Sequence, residues 1–126
     1  MPRELTSHKV NGCNDALVVN CLDEPGSGGA CHSYLIGLAP CPEWIHGKAF
    51  TTINFQNGPI REVGTNGVTH ETLLSVLMDR LEGFQSGQYA TIENQIALDH
   101  LRAAQAVLKF RTEQRSRRGV EGTHAV

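Results

Sequence analysis

Two patterns of hydrophobic and polar positions divide the chain near residue 69. Before this point, short apolar runs alternate with clusters of turn-forming residues, and after it apolar residues recur every three or four positions. The first pattern is typical of strands and the second of amphipathic helices. The sequence therefore predicts an α+β protein, with a small N-terminal antiparallel β-sheet followed by a C-terminal αα-hairpin that has one long helix. We expect a single domain over residues 1–126, with the sheet in 1–68 and the hairpin and a C-terminal tail in 69–126.

Three apolar runs predict the strands of the sheet. Ala16–Leu22 and Cys31–Leu38 flank a segment rich in Gly, so we expect them to form a hairpin. Phe50–Gln56 has high β-propensity and is predicted to be a third strand, reached through an irregular crossover from Pro40 to Lys48. An Asn-Gly dipeptide follows and favours a tight turn, so we expect Ile60–Val63 to pair back against the third strand.

Helical spacing predicts two helices of unequal length. The first begins after Thr69, an acceptable N-cap, and ends near Gly83. A connector over residues 84–88 leads to a longer helix over about Thr91–Arg118, which is roughly 40 Å in length. Because so long a helix extends past a small sheet, we expect part of its apolar face to be a subunit interface. The alternative is that this face is entirely intramolecular core.

The composition is that of one ordinary globular domain. The chain has 126 residues, of which 40% are hydrophobic and 19% are charged, and its formal net charge of -2 weakens any assignment as a general nucleic-acid binder. No stretch approaches the roughly 20 apolar residues of a membrane span, and the first residues lack the apolar centre of a signal peptide. We therefore expect a cytoplasmic protein that binds neither DNA, RNA nor membrane.

The sequence contains no recognisable catalytic or metal-binding motif. Its histidines lie in no H-E-x-x-H pattern, and no serine occupies a G-x-S-x-G elbow. Its four cysteines are eight to ten residues apart, without the C-x-x-C pair of most structural zinc sites, and are expected to be reduced, half-buried thiols: Cys13, Cys21, Cys31 and Cys41. We expect a non-enzymatic protein with no metal and no cofactor.

Basic, aromatic and amide side chains in the helical half are candidates for binding a nucleotide-like anion. Arg111, Arg115 and Arg118 share one helix face, and guanidinium groups bind phosphate oxygens and stack on bases. The alternative is that these cations complement the dipole at the helix C-terminus. Phe84 offers a surface for base stacking, or it caps the hairpin core. The Asn94 amide offers a donor and an acceptor for an adenine edge, or it is an ordinary polar residue near a helix start.

Four separated segments carry a resemblance to a known family. They occur in order along nearly the whole chain: Leu22–His32, most of Phe55–Thr69, Arg80–Gly87 and Arg118–His124. Together they resemble the phage anti-Thoeris sponge family, which is similar in turn to the anti-CBASS cyclic nucleotide sponge. The segment from Leu38 to Lys48 matches no family motif.

The resemblance implies a sponge that sequesters a signal without degrading it. Its ligands would be cyclic ADP-ribose isomers, specifically glycocyclic ADP-ribose made by TIR-domain enzymes of Thoeris defence, captured in the cytoplasm of an infected host bacterium. Family members are homo-oligomers built from dimers, and a hexamer is the expected assembly. A second site for cyclic trinucleotides of CBASS is left open by the sequence.

The resemblance also implies where the ligand binds. The adenine would lie between Phe84 and an Arg111 from a neighbouring subunit, with Asn94 nearby. The C-terminal tail would close over phosphate and ribose through Arg118, Thr123 and His124.

The alternative function is a helical protein-interaction module that docks on a host defence protein.

Overall fold

The protein, represented by a computed structural model, is described over residues 3–38 and 48–124. Contacts between Cα atoms divide it into two compact units. The sheet unit comprises residues 1–58 and 65–67, and the helical unit comprises residues 59–64 and 68–126. The predicted crossover between the second and third apolar runs lies outside the described residues, apart from Lys48 at its end. The prediction of a single domain stays a prediction.

Over the described residues, the sheet unit contains a four-stranded antiparallel sheet in the order β1-β2-β3-β4. Its strands are β1 (Arg3–Leu5), β2 (Leu17–Cys21), β3 (Ser33–Leu38) and β4 (Lys48–Asn54). The three predicted apolar runs correspond to β2, β3 and β4, so the α+β prediction is confirmed. Sequence analysis missed β1 because three residues are too few to establish an alternating pattern. It also missed α1 (Gly12–Ala16), which is capped by Asn11.

The loop between β2 and β3 is organised by one carboxylate. Asp23 accepts hydrogen bonds from the backbone amides of His32, at 2.9 Å, and Ser33, at 3.1 Å. The His32 amide lowers the pKa of the Asp23 carboxyl below its ordinary value, because this hydrogen bond favours the ionised form. The loop therefore returns the chain into β3 around an anionic side chain.

The predicted strand at Ile60–Val63 is wrong, because these residues form a single helical turn, α2 (Ile60–Val63). Pro59 precedes the turn, and its ring removes the backbone donor that a paired strand would need. Its carbonyl instead accepts from the Val63 amide at 2.9 Å. The chain before it is tied by Asn66, whose side chain bonds both the amide and the carbonyl of Asn57, at 2.8 and 2.7 Å. These contacts replace the expected hairpin.

The helical unit continues with α3 (His70–Gln85) and α4 (Ile92–Arg117), which together form the predicted hairpin. Thr69 caps α3 as predicted, in a capping box with Thr72. The prediction that α3 ends near Gly83 is wrong by two residues, because Phe84 and Gln85 continue the helix to its C-cap at Ser86. A single glycine only weakens a helix, and here it does not end one. The 26 residues of α4 span about 39 Å.

Few large apolar side chains are fully covered within the described parts of the chain. Leu98 on α4 is 2% exposed. The helical unit leaves many large apolar residues at least two-fifths exposed: Val76, Leu77, Phe84, Tyr89, Ile92, Ile96, Val107 and Phe110. A single copy therefore leaves these apolar side chains of the helical unit in contact with solvent. No helix found among residues 3–38 and 48–124 has the length and hydropathy to cross a membrane.

Candidate functional site

A shallow pocket of about 290 Å³ lies where α3 ends and the connector to α4 begins. It is lined by two glycines and three larger side chains: Arg80, Gly83, Phe84, Gly87 and Tyr89. The glycines lack side chains and so leave the two aromatic rings and the guanidinium as its chemical groups. Its volume is close to the lower limit for small-molecule sites, which suits one ring system better than a whole dinucleotide.

Phe84 is the lining residue of this pocket that contacts both of its other large side chains. Its side chain is 42% exposed, although an aromatic ring normally gains from burial. The guanidinium carbon of Arg80, one helical turn earlier, lies 5.5 Å from the centre of the Phe84 ring. The ring of Tyr89 meets it edge to face, with centroids 6.4 Å apart and planes at 87°. These neighbours hold the ring in place, and stacking a base on such a ring contributes on the order of 1 to 3 kcal/mol.

The connector beside the pocket is braced by Gln85. Its side-chain amide donates to the Thr91 carbonyl at 3.0 Å and accepts from the Thr91 amide at 3.0 Å. It also donates to the Gln95 side chain at 3.3 Å. Because Gln85 follows Phe84 directly, these bonds restrain the backbone that carries the aromatic ring.

Asn94 lies at the same end of the hairpin as Phe84. It occupies the third position of α4, where its backbone amide donates to the Thr91 hydroxyl at 3.0 Å, and it is half-buried. The structure therefore brings two of the predicted ligand-binding residues to one end of the helical unit.

Arg111 is exposed and lies far from that end. It follows Asn94 by 17 residues on the same helix, which places it about 25 Å farther along the axis. A purine ring is only a few ångströms thick, so Phe84 and Arg111 of one copy cannot stack on opposite faces of the same base. Within a single chain, the structure does not bring this predicted pair together.

Arg115 holds the C-terminal tail against the end of α4. Its guanidinium donates to the Glu121 carboxylate at 2.9 Å and to the carbonyls of Val120 and Thr123, at 3.0 and 3.3 Å. The Thr123 hydroxyl donates to the Val120 carbonyl. Sequence analysis placed Arg115 on the anion-binding face, whereas the structure uses this side chain to order the tail.

The C-terminal tail also contacts α2. The Gly122 carbonyl accepts from the Arg61 amide at 3.1 Å, and His124 Nε2 lies 3.4 Å from a carboxylate oxygen of Glu62. The His124 side chain is 67% exposed, and Arg118, the C-cap of α4, is exposed as well. Thus Thr123 and His124 are placed next to the arginine-rich end of α4, separate from Phe84 and Asn94.

Arg80, Gln85 and Tyr89 were not among the residues predicted from the sequence to bind the ligand. Arg80 precedes Phe84 by four residues, a spacing that brings side chains together on a helix, so its approach to the ring was detectable. Tyr89 lies between the end of α3 and the start of α4, where its direction depends on a turn conformation that no sequence pattern specifies.

Comparisons with known proteins match a part of the chain that contains the Phe84 pocket. The family profile described as "Acb2/Tad1, hairpin domain" matches residues 48–111. A curated protein named Thoeris anti-defense 1, from Bacillus phage SBSphiJ7, is 45% identical over 73 residues, which are 58% of this chain and 51% of that protein. The chain therefore spans about half the length of this relative. Phe84, Asn94 and Arg111 lie within the family match, whereas the tail residues lie beyond it.

Proposed function

Because the chain belongs to the Acb2/Tad1 hairpin family, we propose that it is an anti-Thoeris immune-evasion protein. It would bind and sequester cyclic ADP-ribose isomers, specifically glycocyclic ADP-ribose, in the cytoplasm of an infected host bacterium without degrading them. The observation that carries this proposal is the half-exposed Phe84 ring, held by Arg80 and Tyr89 inside the segment that the family profile matches.

The chemistry of the ligand accounts for the residues of the pocket. Adenine presents a flat π-face that stacks on Phe84, and its edge offers both a donor and an acceptor to the Asn94 amide. Arg111 would cover the opposite face of the base, since a guanidinium plane stacks on aromatic rings. This second wall comes from another copy of the chain, because about 25 Å separates Arg111 from the Phe84 end within one copy.

Assembly is therefore part of the proposed function. The exposed apolar residues of α3 and α4 provide surface that a second copy would cover. We propose a homo-oligomer built from dimers, with a hexamer as the complete assembly. Each dimer would create two equivalent slots, since a two-fold axis repeats every contact.

The phosphates and ribose would be bound at the arginine-rich end of α4. Arg118 is exposed there, and Thr123 and His124 lie in the adjoining tail. The Thr123 hydroxyl, which donates to the Val120 carbonyl, is a group that can both donate and accept, as binding a ribose hydroxyl would require. His124 would exchange its Glu62 contact for a phosphate oxygen as the tail closes.

The proposal is tested by measuring ligand capture with a matched pair of variants. Phe84→Ala should weaken binding of glycocyclic ADP-ribose by roughly 5- to 150-fold in calorimetry, because stacking on the ring is lost. Phe50→Ala removes a similarly exposed aromatic, 51% against 42%, from β4 in the sheet unit and should leave the affinity unchanged. Equal affinities for all three proteins would exclude the Phe84 slot.

The fate of the ligand distinguishes a sponge from an enzyme. Heating the loaded protein and analysing the supernatant should recover the unmodified cyclic compound. A hydrolysed product would show catalysis and contradict sequestration.

A ligand panel separates this function from its alternatives. Ligands that bind the native state raise apparent stability, so cyclic ADP-ribose isomers should increase the melting temperature. Cyclic di- and trinucleotides belong in the same panel, since a second site for CBASS signals is part of the proposal, with no residues assigned to it. If no cyclic nucleotide shifts the melting temperature, the protein is better described as a helical module that docks on a host defence protein.

A further inference from the structure

Two buried thiols, one at each end of the β2–β3 loop, lie close together. Cys21 ends β2 and Cys31 precedes β3, and their side chains are 1% and 8% exposed. Both sulfurs contact the Asp23 carbonyl, at 3.5 and 3.3 Å. The loop thus brings together two cysteines that are ten residues apart in the sequence.

A carboxylate completes the cluster. The two sulfurs and one Asp23 carboxylate oxygen all lie within 4.8 Å of one another, and Cys21 Sγ is 3.9 Å from Asp23 Oδ1. In a tetrahedral zinc site, bond lengths of about 2.3 Å to sulfur and 2.0 to 2.2 Å to oxygen place neighbouring ligand atoms roughly 3.5 to 3.8 Å apart. The three atoms need to move by only about an ångström to reach this spacing.

The surroundings of the cluster suit a bound cation. His32 Nδ1 is buried with no hydrogen-bond partner in the described chain, and it lies 4.0 Å from Asp23 Oδ2. A buried nitrogen without a partner is rare, and imidazole nitrogen is a common zinc ligand. Arg3 Nη2 lies 3.9 Å from Cys31 Sγ. Two thiolates and one carboxylate around Zn²⁺ carry a net charge of -1, which this guanidinium offsets.

We propose that Cys21, Asp23 and Cys31 form a Zn²⁺ site in the sheet unit. Binding displaces the two thiol protons to solvent and forms two Zn–S bonds, so no oxidant or reductant is required. The site is independent of the nucleotide-binding function and would fasten the loop between β2 and β3.

Metal titration of the full chain tests the site. Protein stripped with a chelator and reduced is titrated with Co²⁺, which should produce the near-ultraviolet charge-transfer absorption of two cobalt–thiolate bonds, and Zn²⁺ should abolish it by displacement. Cys21→Ser and Cys31→Ser should each lower the affinity for the metal. The loss should exceed the roughly 10- to 100-fold that is typical when a residue hydrogen-bonded to a metal ligand is replaced. Cys13→Ser, at an exposed thiol of α1, should bind like the wild type.

Thiol protection in the wild-type protein makes the test independent of whether the variants fold. Zn²⁺ should slow alkylation of Cys21 and Cys31 under native conditions, while Cys13 reacts equally with and without metal, and a chelator should reverse the protection. The proposal is overturned if the absorption is absent and alkylation is unchanged. It is also overturned if both serine variants keep full affinity for the metal. A third contradicting result would be a Cys21–Cys31 disulfide that forms under mild oxidation equally fast with and without Zn²⁺.

Discussion

At the scale of single residues, Gly37 shows how closely two strands approach. It lies at an irregularity in the pairing of β3 with β4, and a Cβ atom built there would be 2.3 Å from the Lys48 carbonyl oxygen and 3.0 Å from Ala49 Cα. Both contacts are with backbone, which cannot rotate away as a side chain would. Glycine is therefore required by the neighbouring strand rather than by its own backbone angles.

Replacing this glycine should destabilise the sheet unit. We expect Gly37→Ala to lower the free energy of unfolding by about 1 to 3 kcal/mol, because the strands must separate to admit the methyl group. Gly12→Ala is the matched control, since nothing lies within 4 Å of a Cβ built in α1. Chemical denaturation of the two variants measures the difference. Equal midpoints would mean that β4 shifts freely at this point.

At the scale of elements, the hairpin is built from local caps and a few polar contacts between its helices. Thr69 and Thr91 cap α3 and α4 through bonds to backbone amides three residues later. Between the helices, Gln105 donates to the Ser75 hydroxyl at 3.1 Å, and Arg102 pairs with Glu82 at 3.5 Å, where both side chains are about half exposed. Exposed pairs of this kind contribute little, so the caps carry more of the local stability.

Removal of the first cap should have a moderate effect on the helical unit. Thr69→Ala is expected to lower the unfolding free energy by about 1 kcal/mol, because the Thr72 amide loses its acceptor and the reciprocal bond to the Thr69 amide is weakened. Thr112→Ala, inside α4, should be neutral or slightly stabilising, since alanine favours helix. Thermal unfolding followed by circular dichroism compares the pair, and similar losses in both would contradict a specific capping role.

The tail depends on the shape of one side chain. Arg115→Lys keeps the charge but loses the planar fork that reaches Glu121, Val120 and Thr123 together. We expect faster hydrogen exchange at the amides of residues 119–124, with exchange in α3 unchanged. Arg117→Lys, at an exposed position, should leave the tail as protected as in the wild type. A tail that stays protected in Arg115→Lys would show that its contacts with α2 are sufficient.

At the scale of the whole molecule, the proposed ligand slot requires more than one chain. Its aromatic wall lies at one end of the hairpin and its arginine wall lies near the other, about 25 Å away along α4. In the proposed assembly, a second copy would cover apolar side chains that α3 and α4 leave exposed. Binding and oligomerisation should therefore be lost together when the interface is disrupted.

Mixing two inactive variants tests this arrangement directly. Phe84→Ala and Arg111→Ala should each bind poorly alone, but a mixed dimer would contain one slot with both wild-type residues and one slot with neither. After unfolding and refolding an equal mixture, we expect about a quarter of the wild-type capacity, because half of randomly formed dimers are mixed. Arg117→Ala in place of Arg111→Ala is the control, since it leaves the Arg111 wall intact. No recovery in a mixture whose subunits demonstrably exchange would refute a slot shared between copies.

Sequence alone determined the features that depend on nearest neighbours. The strands β2, β3 and β4 follow from apolar runs, and the starts of α3 and α4 follow from Thr69 and Thr91, because a cap bonds to an amide only three residues away. The resemblance carried by four separated segments predicted the family, and the match to the family profile confirmed this prediction.

Tertiary structure decided whatever depends on distant partners. The helical turn Ile60–Val63 is joined to the tail by the bond from the Arg61 amide to the Gly122 carbonyl. Arg115, a candidate for anion binding in the sequence, instead bonds the tail. Cys21 and Cys31 contact the same carbonyl although they are ten residues apart. None of these outcomes has a period or a motif, since each is set by which backbone and side-chain groups the fold brings within hydrogen-bonding reach.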